Sequence, residues 1–307
     1  MSNADQIASA PHALRCRGAL AAGLLATAAP VLAAPPAMEA LANLSYQGIY
    51  EHPVTLTQGI YEGEPFVAGG AARPRVELLP QPAVHTDMDG DGREDAFVLL
   101  SESSGGSGSF LYLAAVTNGE SGLATVGTAK IGDPVQVISL TADAGVASLE
   151  YVTTGPEEAR CCPSQVIAAR YGLQDGELKV LSQAERDRLS LATISEIPWQ
   201  LTRLDWEEPL PDTLSVTAEI RDGQIAGFSG CNRYFGPISA PRPDRLAIGP
   251  LGATLMACPE PASLVEARYL EALGSAKQFG FYLGQLTIRY GEGERGGTLI
   301  YRRSTGD

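Results

Sequence analysis

From Val76 onward, short apolar runs alternate with turn residues and none of them keeps a helical period. The runs Ala96 to Leu100, Phe110 to Val116, Val135 to Leu140, Val146 to Val152 and Val166 to Leu173 are rich in β-branched and aromatic residues, and Gly, Asp, Asn and Ser separate them. This pattern predicts a meander of about six to eight antiparallel strands. Phe110 to Val116 is apolar almost without interruption, as expected of a central strand covered on both faces. Before this region, residues 35–60 mix apolar and turn residues and read as a linker followed by edge strands or extended loop.

A second pattern opens at Trp199. Trp199, Leu201 and Leu204 begin a strand, and Leu214, Val216, Ala218 and Ile220 alternate with polar residues up to Asp222-Gly223, a two-residue hairpin signal from which Gln224 to Phe228 returns. After Pro259 and Pro261 comes one helix. Ser263 and Glu266 have capping-box spacing, Val265, Tyr269, Leu270, Ala272 and Leu273 form its apolar stripe, and Gly274 marks its end. Gln278 to Leu283, Leu286 to Tyr290 and Thr298 to Tyr301 then read as three closing strands. The predicted class is mainly β with α+β character, an N-terminal antiparallel β domain followed by a curled antiparallel sheet with one helix.

The N-terminus changes the domain picture. Arg15 and Arg17 precede an apolar run from Gly18 to Leu32 that is too short to span a bilayer, and Val31-Leu32-Ala33 offers small residues to signal peptidase. Residues 1–33 therefore read as a secretory signal peptide cleaved after Ala33 or Ala34, leaving no transmembrane segment in the mature chain. The expected organisation is a β domain over 34–184, a linker over 185–197 and a second domain over 198–303. A length of 307 residues suits two domains.

Charge narrows the partners. Lys and Arg number 22 against 36 Asp and Glu, a formal charge of −14, and cleavage would remove Arg15, Arg17 and Asp5 to leave −15. A nucleic acid or an anionic membrane needs a basic face, so neither is expected. Cleavage also removes Cys16 and leaves four cysteines in an oxidising compartment.

Three constellations could carry chemistry. In the stretch Asp87 to Asp95, Asp87, Asp89, Asp91 and Asp95 stand at positions 1, 3, 5 and 9 of a tight loop, with Gly92 at the turn and the Arg93 carbonyl at position 7. Such a loop suits a hard divalent cation, calcium best, in a structural role. Val98 occupies the place of the bidentate Glu of an EF-hand, and the loop instead resembles the calcium loops of FG-GAP-type β modules. Its alternative is an acidic turn whose carboxylates cap backbone amides. Cys161-Cys162-Pro163 lacks zinc-site spacing and leaves three options: a vicinal disulfide, pairing of one cysteine elsewhere, or free thiols. The loop Ser101 to Ser109 is no nucleophile elbow, because Ser109 stands where the last Gly of Gly-x-Ser-x-Gly belongs.

The third constellation is Gly230-Cys231-Asn232 with Tyr234, then Thr254 and Met256-Ala257-Cys258, then Glu266 at the start of the helix. It resembles the META (HslJ-like) domain of bacterial envelope proteins over the last third of the chain. The resemblance implies a fold, and a role in envelope stress tolerance or as a binding module, without making any of these residues catalytic. Asn232 and Tyr234 suit a turn and core packing. Cys231 and Cys258 are either a disulfide closing a 27-residue separation or two buried thiols; the bond would contribute roughly 3 kcal/mol. The sequence thus points to a periplasmic or secreted non-enzymatic protein whose partner is an unidentified protein or envelope component. A calcium-dependent interaction or inhibitor protein is the first alternative. A metal-dependent enzyme using the acidic loop is the second.

Overall fold

The computed structural model describes residues 34–304 apart from 66, 68, 81, 82, 106, 107, 161, 294 and 295. The expected signal peptide lies outside the described residues. The described residues form one compact unit.

Among the described residues twelve strands precede residue 189, more than the apolar runs predicted, and they form three antiparallel sheets. The largest has six strands. Its central members, Asp95–Ser103 and Phe110–Gly119, pair from Ala96↔Val116 to Glu102↔Phe110. Phe97, Leu99, Leu111, Leu113 and Ala115 point to one core, whereas Ala96, Val98, Leu100, Tyr112, Ala114 and Val116 point to another. The two sets alternate along each strand, as a pleat requires, and both are apolar because both faces are covered. Leu41, Tyr46, Val54 and Leu56, from the segment expected as linker and edge strands, cover one face; Leu41 closes a one-turn helix, Met38–Leu41.

A four-stranded sheet covers the other face, in the sequential order Val135–Asp143, Val146–Thr153, Gln165–Gln174 and Glu177–Arg188. The last strand extends into the segment expected as linker. It pairs along the whole of its neighbour, from Gln165↔Arg188 to Gln174↔Glu177. Beyond it, Leu189 and Ile194 are buried and join the third core, to which the four-stranded sheet contributes Ile138, Val152 and Val166.

That third core fills a ten-stranded antiparallel sheet that runs from Trp199 to Arg303. The hairpin Thr217–Arg221 and Gln224–Phe228 and the three closing strands, Ala276–Tyr282, Gln285–Tyr290 and Gly297–Arg303, form as predicted. The sheet curls until its ends meet. Leu246 donates its N–H to Lys277 O at 3.0 Å, Phe279 donates to Asp244 O at 2.8 Å, and Arg245 bridges to Gln278. The helix Ala262–Gly274 packs Val265, Tyr269, Ala272 and Leu273 into this core, while Leu270 is only half-buried.

The expected capping box does not form. Pro261 is the N-cap, no side chain caps the helix, and Glu266 turns away from its own helix toward Asn232. The helix starts at Ala262, so Ser263 and Glu266 stand at its second and fifth positions rather than at the N-cap and third, and the proline at the N-cap has no N–H to offer.

Candidate functional site

The residues of the Gly230 to Glu266 signature converge on Asn232, which is buried. The turn after Phe228 places it there: Ser229 N–H bonds Asn232 O at 2.8 Å, and Gly230 adopts φ +96°, a conformation that favours glycine. Every polar atom of the Asn232 side chain is then used. Its amide donates to Glu266 Oε1 at 2.9 Å and to Met256 O at 3.2 Å, and its Oδ1 accepts from Thr254 Oγ1 and Met256 N–H, both at 2.8 Å. The backbone N–H of Asn232 donates to Glu266 Oε2 at 2.8 Å, and Ser229 Oγ donates to the same oxygen. Burial alone would raise the Glu266 carboxyl, but the bonds from Ser229 and from the Asn232 side chain and backbone hold it below the usual range. Beside this clasp, Cys231 and Cys258 form a disulfide with Cα atoms 6.0 Å apart. Ala257 lies between the pinned Met256 and Cys258 and carries no polar side chain.

Tyr234 faces the core. Its hydroxyl donates to Thr217 O at 2.9 Å and lies 2.7 Å from that of Tyr269, to which the Tyr301 hydroxyl donates at 3.2 Å. Burial pushes all three phenols well above their ordinary range. The signature is thus a fastening between hairpin, loop and helix. Ser229 is the member that sequence reasoning missed. Its place two residues before Cys231 was visible, but its role depends on a carboxylate 37 positions away.

The acidic loop joins Val84–Thr86 to Asp95–Ser103, which pair with each other. Ligand oxygens of Asp87, Asp89 and Asp95 lie within 4.8 Å of one another. Asp91 takes another path: its Oδ1 accepts the Arg93 N–H at 2.8 Å and its Oδ2 pairs with the Arg93 guanidinium. The carboxylates also cap amides, Asp87 those of Gly90 and Gly92, and Asp89 that of Asp91. Gly90 and Gly92, at φ +82° and +86°, permit the tight path. Asp95 is fully buried and accepts from Met88 and Asn118 N–H, each at 2.8 Å. Burial raises its carboxyl, the two N–H bonds lower it, and Asp89 and Asp91 add to the rise.

At the double-cysteine turn, Cys162 is a disulfide cysteine, and Cys161 lies outside the described residues. The turn is organised by Glu158, which the sequence reading passed over. Glu158 accepts from Gly155 N–H and Ser164 N–H, both at 3.0 Å, and from Ser164 Oγ, and it pairs with Arg188.

Among the described residues no helix is long and apolar enough to cross a membrane. No curated protein matches the chain. One solved structure, the NMR structure of a protein from Burkholderia xenovorans, is similar at 26% identity and covers 41% of this chain and 96% of its own, with a TM-score of 0.32. Residues 192–304 match the family model of the META domain, and they contain the Asn232 clasp, the disulfide and the curled sheet with its helix. The C-terminal third of the chain carries a META domain.

Proposed function

We propose that the protein is a non-enzymatic binding protein of the periplasm or the extracellular space, acting in envelope stress tolerance or as a binding module. The observation that supports this most is the use of the signature residues. Asn232, Glu266, Ser229 and Thr254 spend their hydrogen-bonding groups on one another and on Met256, and the two cysteines on a disulfide. Such a set holds a scaffold rigid and offers no nucleophile or general base. A disulfide persists in oxidising compartments, which agrees with export through the signal peptide read in residues 1–33.

The test is fractionation of cells expressing the full chain, with thiol labelling of each fraction before reduction. The expected result is processed protein outside the cytoplasm with Cys231 and Cys258 unlabelled. Full-length protein in the cytoplasm with both thiols labelled would overturn the reading.

A calcium-dependent interaction protein is the second reading, favoured by the approach of Asp87, Asp89 and Asp95. Calcium would serve there as a structural ion, neutralising a buried Asp95 that otherwise faces two like charges.

A further inference from the structure

The seam at which the C-terminal sheet closes carries a cationic pocket. Arg245 bridges to Gln278, Gln278 pairs with Arg289, and Arg289 pairs with Thr298, so these four stand in one row across adjacent strands. Directly opposed residues project from the same face, and two strand spacings set the Arg245 and Arg289 backbones about 10 Å apart, within reach of a shared ligand. A register shift between Ala276 and Gln278 turns Lys277 outward as well: Ala276 is buried, whereas Lys277 is exposed and Gln278 half-exposed. A bulge re-aims a side chain in this way.

The three cations line a cavity of about 660 Å³ together with Tyr290, Gly291, Gly293, Gly297 and Trp206. Two carboxylates share the lining and offset part of the positive charge: Asp205, whose Oδ1 accepts the Trp206 N–H at 2.8 Å, and Glu292, which is exposed. Arg245 lies 3.8 Å from Asp244. Lys277 and Arg289 have no ion-pair partner among the described residues. In a chain of net charge −14 with three lysines, two unpaired cations beside an arginine in one concavity stand against the general field.

The geometry points to a binding site for a small multivalent oxyanion, a phosphate group foremost, held by Arg289 and Lys277 with Arg245 as third contact. Arginine offers a fork to two phosphate oxygens and lysine a point charge to a third. This goes beyond the proposed function and does not depend on the compartment.

The test is an NMR titration of the full chain with pyrophosphate. Saturable shifts are expected in the millimolar range at the Trp206 indole and the Gly291, Gly293 and Gly297 amides, weakening as salt is raised. The double variant Arg289→Gln, Lys277→Gln should bind at least about tenfold more weakly, with the rest of its spectrum unchanged. Arg245→Gln should weaken binding less, and Arg221→Gln, whose guanidinium already pairs with Glu196 and Glu219, should not change it. No saturable shift in the wild type, or the same curve in the double variant, overturns the site.

Discussion

Glu266 accepts both the backbone N–H and the side-chain amide of Asn232, at 2.8 and 2.9 Å, across 34 positions of chain. This pairing ties the helix to the Gly230 turn, and Asn232 in turn ties both to Met256. Asn232→Ala would take one donor from the half-buried Glu266 carboxylate, remove the side-chain partners of both Met256 backbone groups and empty the space of a buried side chain. The expected loss is about 2–4 kcal/mol, since a hydrogen bond to a charged group contributes roughly 1.5–3 kcal/mol and a neutral one about 1 kcal/mol. Asn232→Asp keeps the shape and sets a carboxylate against Glu266. That variant should be destabilised at neutral pH and recover on mild acidification, which urea titrations at two pH values will show.

Reducing the Cys231–Cys258 bond should lower stability by about 3 kcal/mol in the chain-entropy model for a 27-residue separation. Thermal melts of the Cys231→Ser, Cys258→Ser variant with and without reductant measure it. A loss seen only in the oxidised wild type on adding reductant, and absent in the variant, assigns the effect to this bond.

Two glycines predict opposite outcomes. A Cβ at Gly227 would sit 1.9 Å from the Thr217 carbonyl oxygen, a backbone atom of the neighbouring strand. Gly227→Ala must push the Thr217–Arg221 strand aside and should cost more than about 3 kcal/mol or prevent folding. At Gly274, the last helical residue, a Cβ meets nothing within 4 Å. Gly274→Ala should be neutral or stabilise by up to about 1 kcal/mol. Parallel denaturant curves decide both.

Much of this arrangement was legible in the chain. Phe110 to Val116 read as a doubly covered central strand because its two faces meet two separate apolar cores, so both residue sets had to be apolar. Glu177–Arg188 escaped notice for the opposite reason. Every residue after Leu178 in it is exposed, its sequence is charged, and only pairing with Gln165–Gln174 makes it a strand. The Ser263 and Glu266 spacing misled because the helix starts at Ala262 with Pro261 as its N-cap, which leaves Glu266 to accept from Asn232 instead. Asp91 likewise has the spacing of a ligand, and the Arg93 side chain two residues on claims it. The seam between Arg245 and Gln278 has no sequence signal, because it exists only once the sheet has curled.

Glu158 links stability to acid. Burial would raise its carboxyl, yet bonds from Gly155 N–H, from Ser164 Oγ and N–H, and the charge of Arg188 hold it down to about 2, against 4.5 ordinarily. A carboxyl whose folded value is depressed stabilises fully above its unfolded value and loses that contribution as pH falls toward the folded one. The window here is about pH 4.5 down to 2, and the contribution is on the order of 3 kcal/mol. Glu158→Gln should be less stable than wild type at pH 7, and the difference should shrink through that window. A constant difference between the two proteins down to pH 2 would falsify the assignment.

The acidic loop gives the remaining prediction, which rests on calcium as the structural ion of the second reading. Asp87, Asp89 and Asp95 bring oxygens within 4.8 Å of one another, and Asp95 does so from a fully buried position on a central strand of the six-stranded sheet. A cation there would relieve the like-charge contact and tie the loop to that strand. An ion that binds only the folded state stabilises by RT ln(1 + [L]/Kd), about 2.7 kcal/mol at a hundredfold over Kd. Extracellular sites of this kind often bind only at about 0.1–1 mM, so the titration must reach millimolar calcium. Asp89 is the residue to change: it is exposed and caps only the Asp91 N–H at 3.1 Å, so Asp89→Ala should fold normally and lose the calcium-dependent rise in Tm. Asp91→Ala, which removes only a partner of Arg93, should keep most of that rise. If chelator leaves the wild-type melt unchanged and calorimetry at millimolar calcium shows no heat, the amide caps from Asp87 and Asp89 hold the loop without an ion.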